Sequence, residues 1–366
     1  MPSELLYQLA LPLVENIGDV NCRILLQHFG SAGNIFKARL QELEKIEGIG
    51  TLRAKSIKGF KDFKTAEKEI AFMEKYRIKK LFLTDQDYPK RLLHCYDAPT
   101  LLFYKGEASL NASRMVGIVG TRSATDYGRN ETEKIVEALA EHDVTIISGL
   151  ALGIDAIAHR ASLKNNLPTI GAVGHGLDTI YPASHSGLAK EMIKNKGGLL
   201  TEFFSGTLPE KHNFPLRNRI VAGLSDAVIV VETHVKGGSM ITAKFGDSYN
   251  RDVFAVPGRN IDNKSGGCNY LIRTQKANML TSPDDFLEIM GWKLNKKKVK
   301  KQKELFTELS NDEKRISELL QEKGSMGIDQ IVLSAQLSSS AIAASLLNLE
   351  LQGIIESLPG KIYRLL

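Results

Sequence analysis

The spacing of apolar and polar positions changes character along the chain and divides it into four pieces. From about residue 4 to 75 the apolar residues recur at helical intervals. Two segments there echo each other, VENIGDVNCRILL (14–26) and LEKIEGIGTLRAKSI (43–57), with Gly18 and Gly50 in equivalent places. An apolar-x-Gly turn feeding a short helix is the layout of a helix-hairpin-helix, whose turn amides can grip a phosphate at a helix N-terminus. Arg53 and Lys55 follow the turn in the second copy. A small helical bundle that uses glycine as a loop residue fits the same pattern.

From about 81 to 290 the pattern becomes one of short apolar runs, at 101–104 (LLFY), 115–119 (MVGIV), 144–148 (VTIIS), 169–173 (TIGAV), 198–202 (GLLTE), 227–232 (AVIVVE) and 252–256 (DVFAV). Helix-length segments separate them, among them 128–142, 154–165, 184–196, 215–224 and 239–250. Strands apolar on both faces and joined by crossover-length helices call for an α/β fold with a Rossmann-like, doubly wound, mostly parallel sheet.

The run KLNKKKVKKQK (293–303) then reads as a solvated, self-repelling linker. Helical periodicity resumes near 312–323, 328–335 and 338–352, and two β-like runs around Pro359-Gly360 form a hairpin, so the tail has the layout of a winged helix-turn-helix. Its recognition-helix segment, SSSAIAASLLNLELQ, holds no Lys or Arg, and contacts to bases and phosphates lean on those side chains. A protein contact or a weak DNA role is expected of it. The expected domains are a helical, helix-hairpin-helix or SAM-like region over 1–80, the Rossmann-like domain over 81–292, the lysine-rich linker over 293–304 and a winged-helix domain over 305–366.

Length agrees with several cores, since 366 residues exceed the roughly 100–200 of one domain. The cysteines Cys22, Cys95 and Cys268 are odd in number, far apart and without CxxC spacing, which excludes a disulfide framework and a thiolate zinc site. The opening MPSELLYQLALPLVENIGDV has no basic n-region, and no stretch approaches the roughly 18 apolar residues of a span. A cytosolic protein with no membrane partner is expected. The net charge of +6 misleads: seven of the 48 Lys and Arg lie in 293–303, leaving 41 bases against 42 acids elsewhere. A polyanion site in the folded part must therefore be a local concentration of cations rather than a product of the global field.

In an open α/β sheet the ligand crevice lies beyond the carboxyl ends of the strands. Three small-residue turns follow strands here: Gly120-Thr121-Arg122, Ser148-Gly149 with LALGID behind it, and Gly237-Gly238-Ser239 leading to Thr242. Glycine lets a ligand approach and presents N–H groups, and Ser and Thr add hydroxyls at helix starts, which together suit phosphate oxygens. The window KHNFPLRNRIVAGLS (211–225) adds Lys211, Arg217 and Arg219 around Phe214. Leu216, Ile220, Val221 and Leu224 define its core stripe. At about 100° per residue, Arg217 falls on the core side at the start of the helix, facing the ligand or a buried carboxylate. Arg219 lies roughly 200° further round, at the rim or in a structural pair. Cations beside a ring that can stack a base suit a single-stranded nucleic acid.

No full GxGxxG, Walker GxxxxGK[ST], HExxH or GxSxG motif is present, and the histidines show no metal-ligand spacing, so no cofactor or metal is expected. Asp155, Asp178, Glu202 and Glu232 stand near strand ends and are read as helix caps or partners of the arginines. An acid pair among them would instead make a nucleotide-processing enzyme of glycosidase type, the alternative reading.

GIVGTR (117–122), SGLALGIDAIAH (148–159), FPLRNRIVAGLS (214–225), GGSMITA (237–243) and VPG…GCNYLI (256–272) together resemble the DNA-processing protein A (DprA, or Smf) family. The resemblance spans about 110 to 280 and implies a dimeric, non-catalytic protein of the cytosol. Such a protein binds single-stranded DNA during natural transformation, loads the RecA recombinase onto it, and forms its homodimer through the Rossmann-like domain. It implies Arg122, after Gly120, on a phosphate, Ser148 and Gly149 in an amide nest, Lys211 and Phe214 beside the strand, and Arg217, Asn218 and Arg219 in the pocket. Gly238, Ser239 and Thr242 correspond to the family's GSxxTA turn, and Lys244 extends the set by charge and position. Ala183 and His185 stand where the family commonly has a basic residue and Asn, which weakens or relocates one phosphate contact. Lys276-Ala277 replaces the usual Gly-Ala, and nothing in the sequence interprets that change.

Overall fold

A computed structural model describes residues 3–293, 309–358 and 361–365. The chain divides into two compact units, Met1–Leu294 and Asn295–Leu366. The first opens with α1 (Glu4–Ala10), α2 (Asp19–Phe29), α3 (Ala32–Lys37), α4 (Leu40–Glu44), α5 (Gly50–Gly59) and α6 (Phe63–Tyr76). Gly18 precedes α2 and Gly50 begins α5, where its φ of +61° is one that glycine adopts without strain. Arg53 is committed to the turns themselves, donating to the carbonyls of Asn16 (3.1 Å) and Gly48 (3.0 Å), while Lys55 is exposed. The helical region shares one apolar core with the sheet. Polar ties reinforce that seam: Asp19 accepts from the Thr100 amide and hydroxyl, both at 2.7 Å, and Glu69 accepts from the Ser205 amide (3.0 Å).

The sheet strands are β1 (Lys79–Phe82), β2 (Leu101–Gly106), β3 (Arg114–Val119), β4 (Val144–Ser148), β5 (Thr169–Ala172), β6 (Gly198–Thr201), β7 (Ala227–Val230), β8 (Asp252–Ala255) and β9 (Asn278–Met279). Between them run α7 (Lys90–Leu93), α8 (Asp126–Leu139), α9 (Ile154–Lys164), α10 (Ser186–Lys194), α11 (Asn213–Leu224), α12 (Ser239–Ser248) and α13 (Gly266–Arg273), and α14 (Pro283–Ile289) follows β9. The spatial order is β1-β2-β6-β5-β4-β3-β7-β8-β9, parallel throughout except at β1–β2 and β2–β6. Side chains of β3 alternate between two cores, Met115 and Val119 packing with α11 and α12, Val116 and Ile118 with α8, α9 and α14. The chain winds outward from β3 through β4 to β6, then returns to β7 on the other side of β3. That reversal makes the carboxyl ends of β4, β3 and β7 the topological switch point, where open α/β sheets bind ligands.

One expectation fails within α11. Leu216 is 44% exposed rather than part of the core stripe, while Asn213 and Arg217 are buried. The first turn of the helix overhangs the end of β5, where Gly174 lies against the backbone of Asn213 and the ring of Phe214, so its inward face meets a polar crevice instead of the sheet.

The second unit holds α15 (Asn311–Lys323), β10 (Ser325–Gly327), α16 (Ile328–Ala335), α17 (Ser339–Leu351), β11 (Ile355–Leu358) and β12 (Ile362–Leu365). Its sheet runs β10-β12-β11, antiparallel, over a core that includes Ile316, Leu320, Ile331 and Leu346. Strand β10 is not anticipated by the apolar pattern, because three residues are too few for an alternation to register. The Pro359-Gly360 turn and all of the lysine-rich linker beyond Lys293 lie outside the described residues. Among the described residues no single helix is long and apolar enough to cross a membrane.

Candidate nucleic-acid interface

A cleft of about 750 Å³ opens at the switch point, walled by the turns after β3 and β7 and by the starts of α9, α11 and α12. Glycine shapes its floor. A Cβ on Gly120 would lie 2.5 Å from Ile154, so only glycine lets β3 end beneath the start of α9. Thr121 then locks the turn, its amide donating to the Glu232 carbonyl (2.7 Å) and its carbonyl accepting from Ile154 (3.2 Å). Arg122 emerges exposed at the cleft with its guanidinium 5.4 Å from the centroid of the Phe214 ring, in cation–π range.

The turn after β4 does not offer the nest that its composition promises. The Ser148 hydroxyl is buried and donates to the Ile118 carbonyl (2.6 Å), stitching β4 to β3 away from the cleft. The Gly149 amide (3.1 Å) and the Ala151 amide (3.4 Å) both donate to Asp155 Oδ2, so a carboxylate of the chain already fills the place of an incoming anion. Burial pushes the Asp155 carboxyl above its ordinary range, and Arg217 and the two amides pull the other way.

Arg217 is 4% exposed and lines the cleft. Its Nη1 donates to the Ala172 carbonyl (2.6 Å), and its Nε is buried without a partner among the described residues. Burial, aided by Arg122, lowers its proton affinity against the pull of Asp155. Asn218, one residue on, donates to the Gly238 carbonyl (3.4 Å) and joins α11 to the third turn. Arg219 does not line the cleft. Its Nη2 bonds Asp19 (2.9 Å) and Glu202 and its Nη1 bonds the Asp97 carbonyl, a buried network at the seam with the helical region. Two acids holding one guanidinium keep Arg219 ionised, with its pKa raised, while burial raises that of Glu202.

At the third turn, Gly238, Ser239 and Thr242 line the cleft around the start of α12. Ser239 Oγ is buried and has no hydrogen-bond partner among the described residues, while the Met240 and Ile241 amides of the same turn donate to the Gly237 and Gly238 carbonyls, both at 3.1 Å. Lys211 is exposed on the wall. Lys244 lies beyond the first turn of α12, exposed and off the cleft, because that position of the helix faces solvent. The structure thus gathers Gly120, Arg122, Lys211, Phe214, Arg217, Asn218, Gly238, Ser239 and Thr242 on one cleft, and leaves Ser148, Arg219 and Lys244 off it; Gly149 lies beneath Arg217 in an adjoining recess.

Sequence reasoning passes over Tyr181, whose half-exposed ring lies 5.9 Å from that of Phe214 and lines the same cleft. Its amide donates to His175 Nε2 (3.2 Å), whose Nδ1 bonds the Gly176 carbonyl (2.9 Å), and burial lowers the His175 pKa, so a neutral imidazole sets the loop. The signal available was position, since the loop follows the carboxyl end of β5. Of the two departures in that loop, His185 is buried against the Leu150 carbonyl (2.9 Å) and Ala183 is exposed.

A family model described as DNA recombination-mediator protein A matches residues 79–291, one described as the DprA winged helix domain matches 302–361, and a helix-hairpin-helix motif matches 4–70. The chain is 36% identical to a protein named Smf from Synechocystis over 99% of both, and 43% identical to the DNA processing protein DprA of Streptococcus pneumoniae over 56% of this chain and 72% of that one. The crystal structure of the pneumococcal protein superposes at a TM-score of 0.66 and 32% identity, covering 79% of this chain and 98% of that one. A DNA processing protein A from Helicobacter pylori, whose structure is described in terms of its single-stranded DNA binding mode, superposes at 0.54 and 31% identity over 59% and 96%.

Proposed function

The chain belongs to the DNA recombination-mediator protein A family, and on that premise we propose that its cleft holds single-stranded DNA, shields it during natural transformation and passes it to the RecA recombinase. One observation carries the reading: Arg122 sits over the Phe214 ring at the mouth of a cleft that is also lined by Lys211 and the start of α12. A cation and a helix N-terminus suit the phosphate track, and the half-buried Phe214 ring beside the half-exposed Tyr181 suits unpaired bases of any sequence. A cleft of this size, about 750 Å³, grips a few nucleotides at a time.

The role is that of a binder rather than an enzyme. Glu202 is tied to Arg219, and Glu232 accepts from the Thr125 amide (2.9 Å) and hydroxyl (2.5 Å), so the two carboxylates that a glycosidase would need are engaged in structure. RecA as partner, a cytosolic location and a homodimer through the Rossmann-like domain rest on the family membership.

The test is oligonucleotide binding titrated with salt. Affinity should fall with a log–log slope of about −0.7 per phosphate neutralised and vary little between sequences. Arg122→Ala should make the slope shallower, and Arg217→Ala should weaken binding to every sequence alike. The pocket assignment fails if both variants bind as the wild type does. RecA filament assembly on coated oligonucleotides and sedimentation of the free protein test the two partner readings.

A further inference from the structure

The turn after β4 holds two opposite charges on either side of one glycine. Asp155 Oδ2 accepts the Gly149 and Ala151 amides, and the Arg217 guanidinium occupies the space beside Gly149 Cα, where a Cβ would fall 2.0 Å from Nη1. Both side chains are buried, both line the cleft, and neither bonds the other directly among the described residues. An arginine keeps its proton in proteins, so a buried one requires a counter-charge nearby. Asp155 is the acid whose charge acts on it, and two amides donating onto a single oxygen suit the ionised carboxylate.

From this we propose that Asp155 is the internal counter-ion of the cleft. It fills the amide nest in place of a phosphate and neutralises Arg217, so that Arg217 shapes the wall of the cleft without adding to its charge, while Arg122 and Lys211 supply the charge that meets the DNA backbone. Asp155 is therefore a positioning residue that sets how many phosphates the cleft neutralises. The inference rests on the cleft being the single-stranded DNA site.

The test is a double-mutant cycle on the full chain, using Asp155→Asn, Arg217→Met and the pair together, with oligothymidylate binding measured across a salt series. Asparagine keeps an oxygen for the two amides and removes the charge. Asp155→Asn should bind more tightly than wild type, with a slope steeper by about 0.7 because Arg217 becomes available to one phosphate. Arg217→Met leaves an unpaired carboxylate in the cleft and should bind weakly, and adding Asp155→Asn should restore much of that loss and return the slope to the wild-type value. A merely structural Asp155 would move stability without steepening the slope, and additive effects of the two changes would overturn the proposal. Should Asp155→Asn not fold alone, the comparison of Arg217→Met with the double variant still decides, since rescue is expected and its absence refutes. If the wild type shows no salt-dependent binding, the reading of the cleft has failed instead.

Discussion

The guanidinium of Arg217 fills the space that a side chain on Gly149 would need, since a Cβ there would lie 2.0 Å from Nη1. Gly149→Ala must push a buried arginine off the Ala172 carbonyl, to which it now donates at 2.6 Å. The expected result is a loss of about 1–3 kcal/mol of stability, the usual range for overpacking, together with weaker oligonucleotide binding. Denaturant midpoints and binding isotherms on the same preparation check both.

Arg219 gives the contrasting outcome. It bridges Asp19 and Glu202 at the seam between the helical region and the sheet, and does not line the cleft. Arg219→Met leaves those acids without their shared cation, and removing one partner of a buried ion pair costs about 3–5 kcal/mol. The melting temperature should drop sharply, while the folded fraction at low temperature keeps wild-type affinity for an oligonucleotide. A large loss of affinity in fully folded protein would return Arg219 to the DNA site.

These two arginines show what the sequence could and could not convey. Helical spacing alone separates their directions on α11, and the alternation of apolar runs with helices was enough to lay out a doubly wound sheet. Spacing does not reveal whether donors are already spent. Ser148 and the Gly149 amide have the composition of a phosphate nest, yet their hydrogen bonds go to Ile118 and Asp155. Leu216 looks like core because the helix period says so, but the helix outruns the sheet at that turn and the residue meets solvent. Tyr181 comes to the site through a loop whose path no periodicity encodes.

Acid should weaken the fold through a buried histidine. His159 lies under the sheet with Nδ1 2.7 Å from Thr169 Oγ1, and that hydroxyl donates to the Ile146 carbonyl (3.2 Å). Nδ1 therefore carries the proton and Nε2 is left without a partner among the described residues, so the ring is neutral. Burial, with His185 and Arg217 nearby, pushes its pKa from 6.5 to about 3. Below pH 6.5 the unfolded chain takes a proton that the folded chain refuses, so this group's contribution is fully present above that pH and is lost as pH falls toward 3. The slope is about 1.4 kcal/mol per pH unit. His159→Asn, which can keep the bond to Thr169, should flatten stability against pH across that window, as read from denaturant titrations at stepped pH. An unchanged pH profile would show that His159 does not titrate there.

Stacking and charge should separate cleanly in the cleft. Phe214 is half-buried, with Arg122 over its face and Tyr181 tilted beside it at 36°, so one face of the aromatic pair is available to a base. Base–aromatic stacking is worth about 1–3 kcal/mol per base, and phosphate contacts set the salt dependence. Phe214→Ala should therefore weaken oligonucleotide binding by about tenfold, at roughly 1.4 kcal/mol per decade, and leave the salt slope unchanged. Arg122→Ala should weaken binding and also make the slope shallower by about 0.7. Phe214→Trp keeps a face for the base and should retain most of the affinity. If Phe214→Ala altered the salt slope as Arg122→Ala does, the ring would be acting by holding Arg122 in place rather than by stacking, and the base would have to rest on Tyr181 alone.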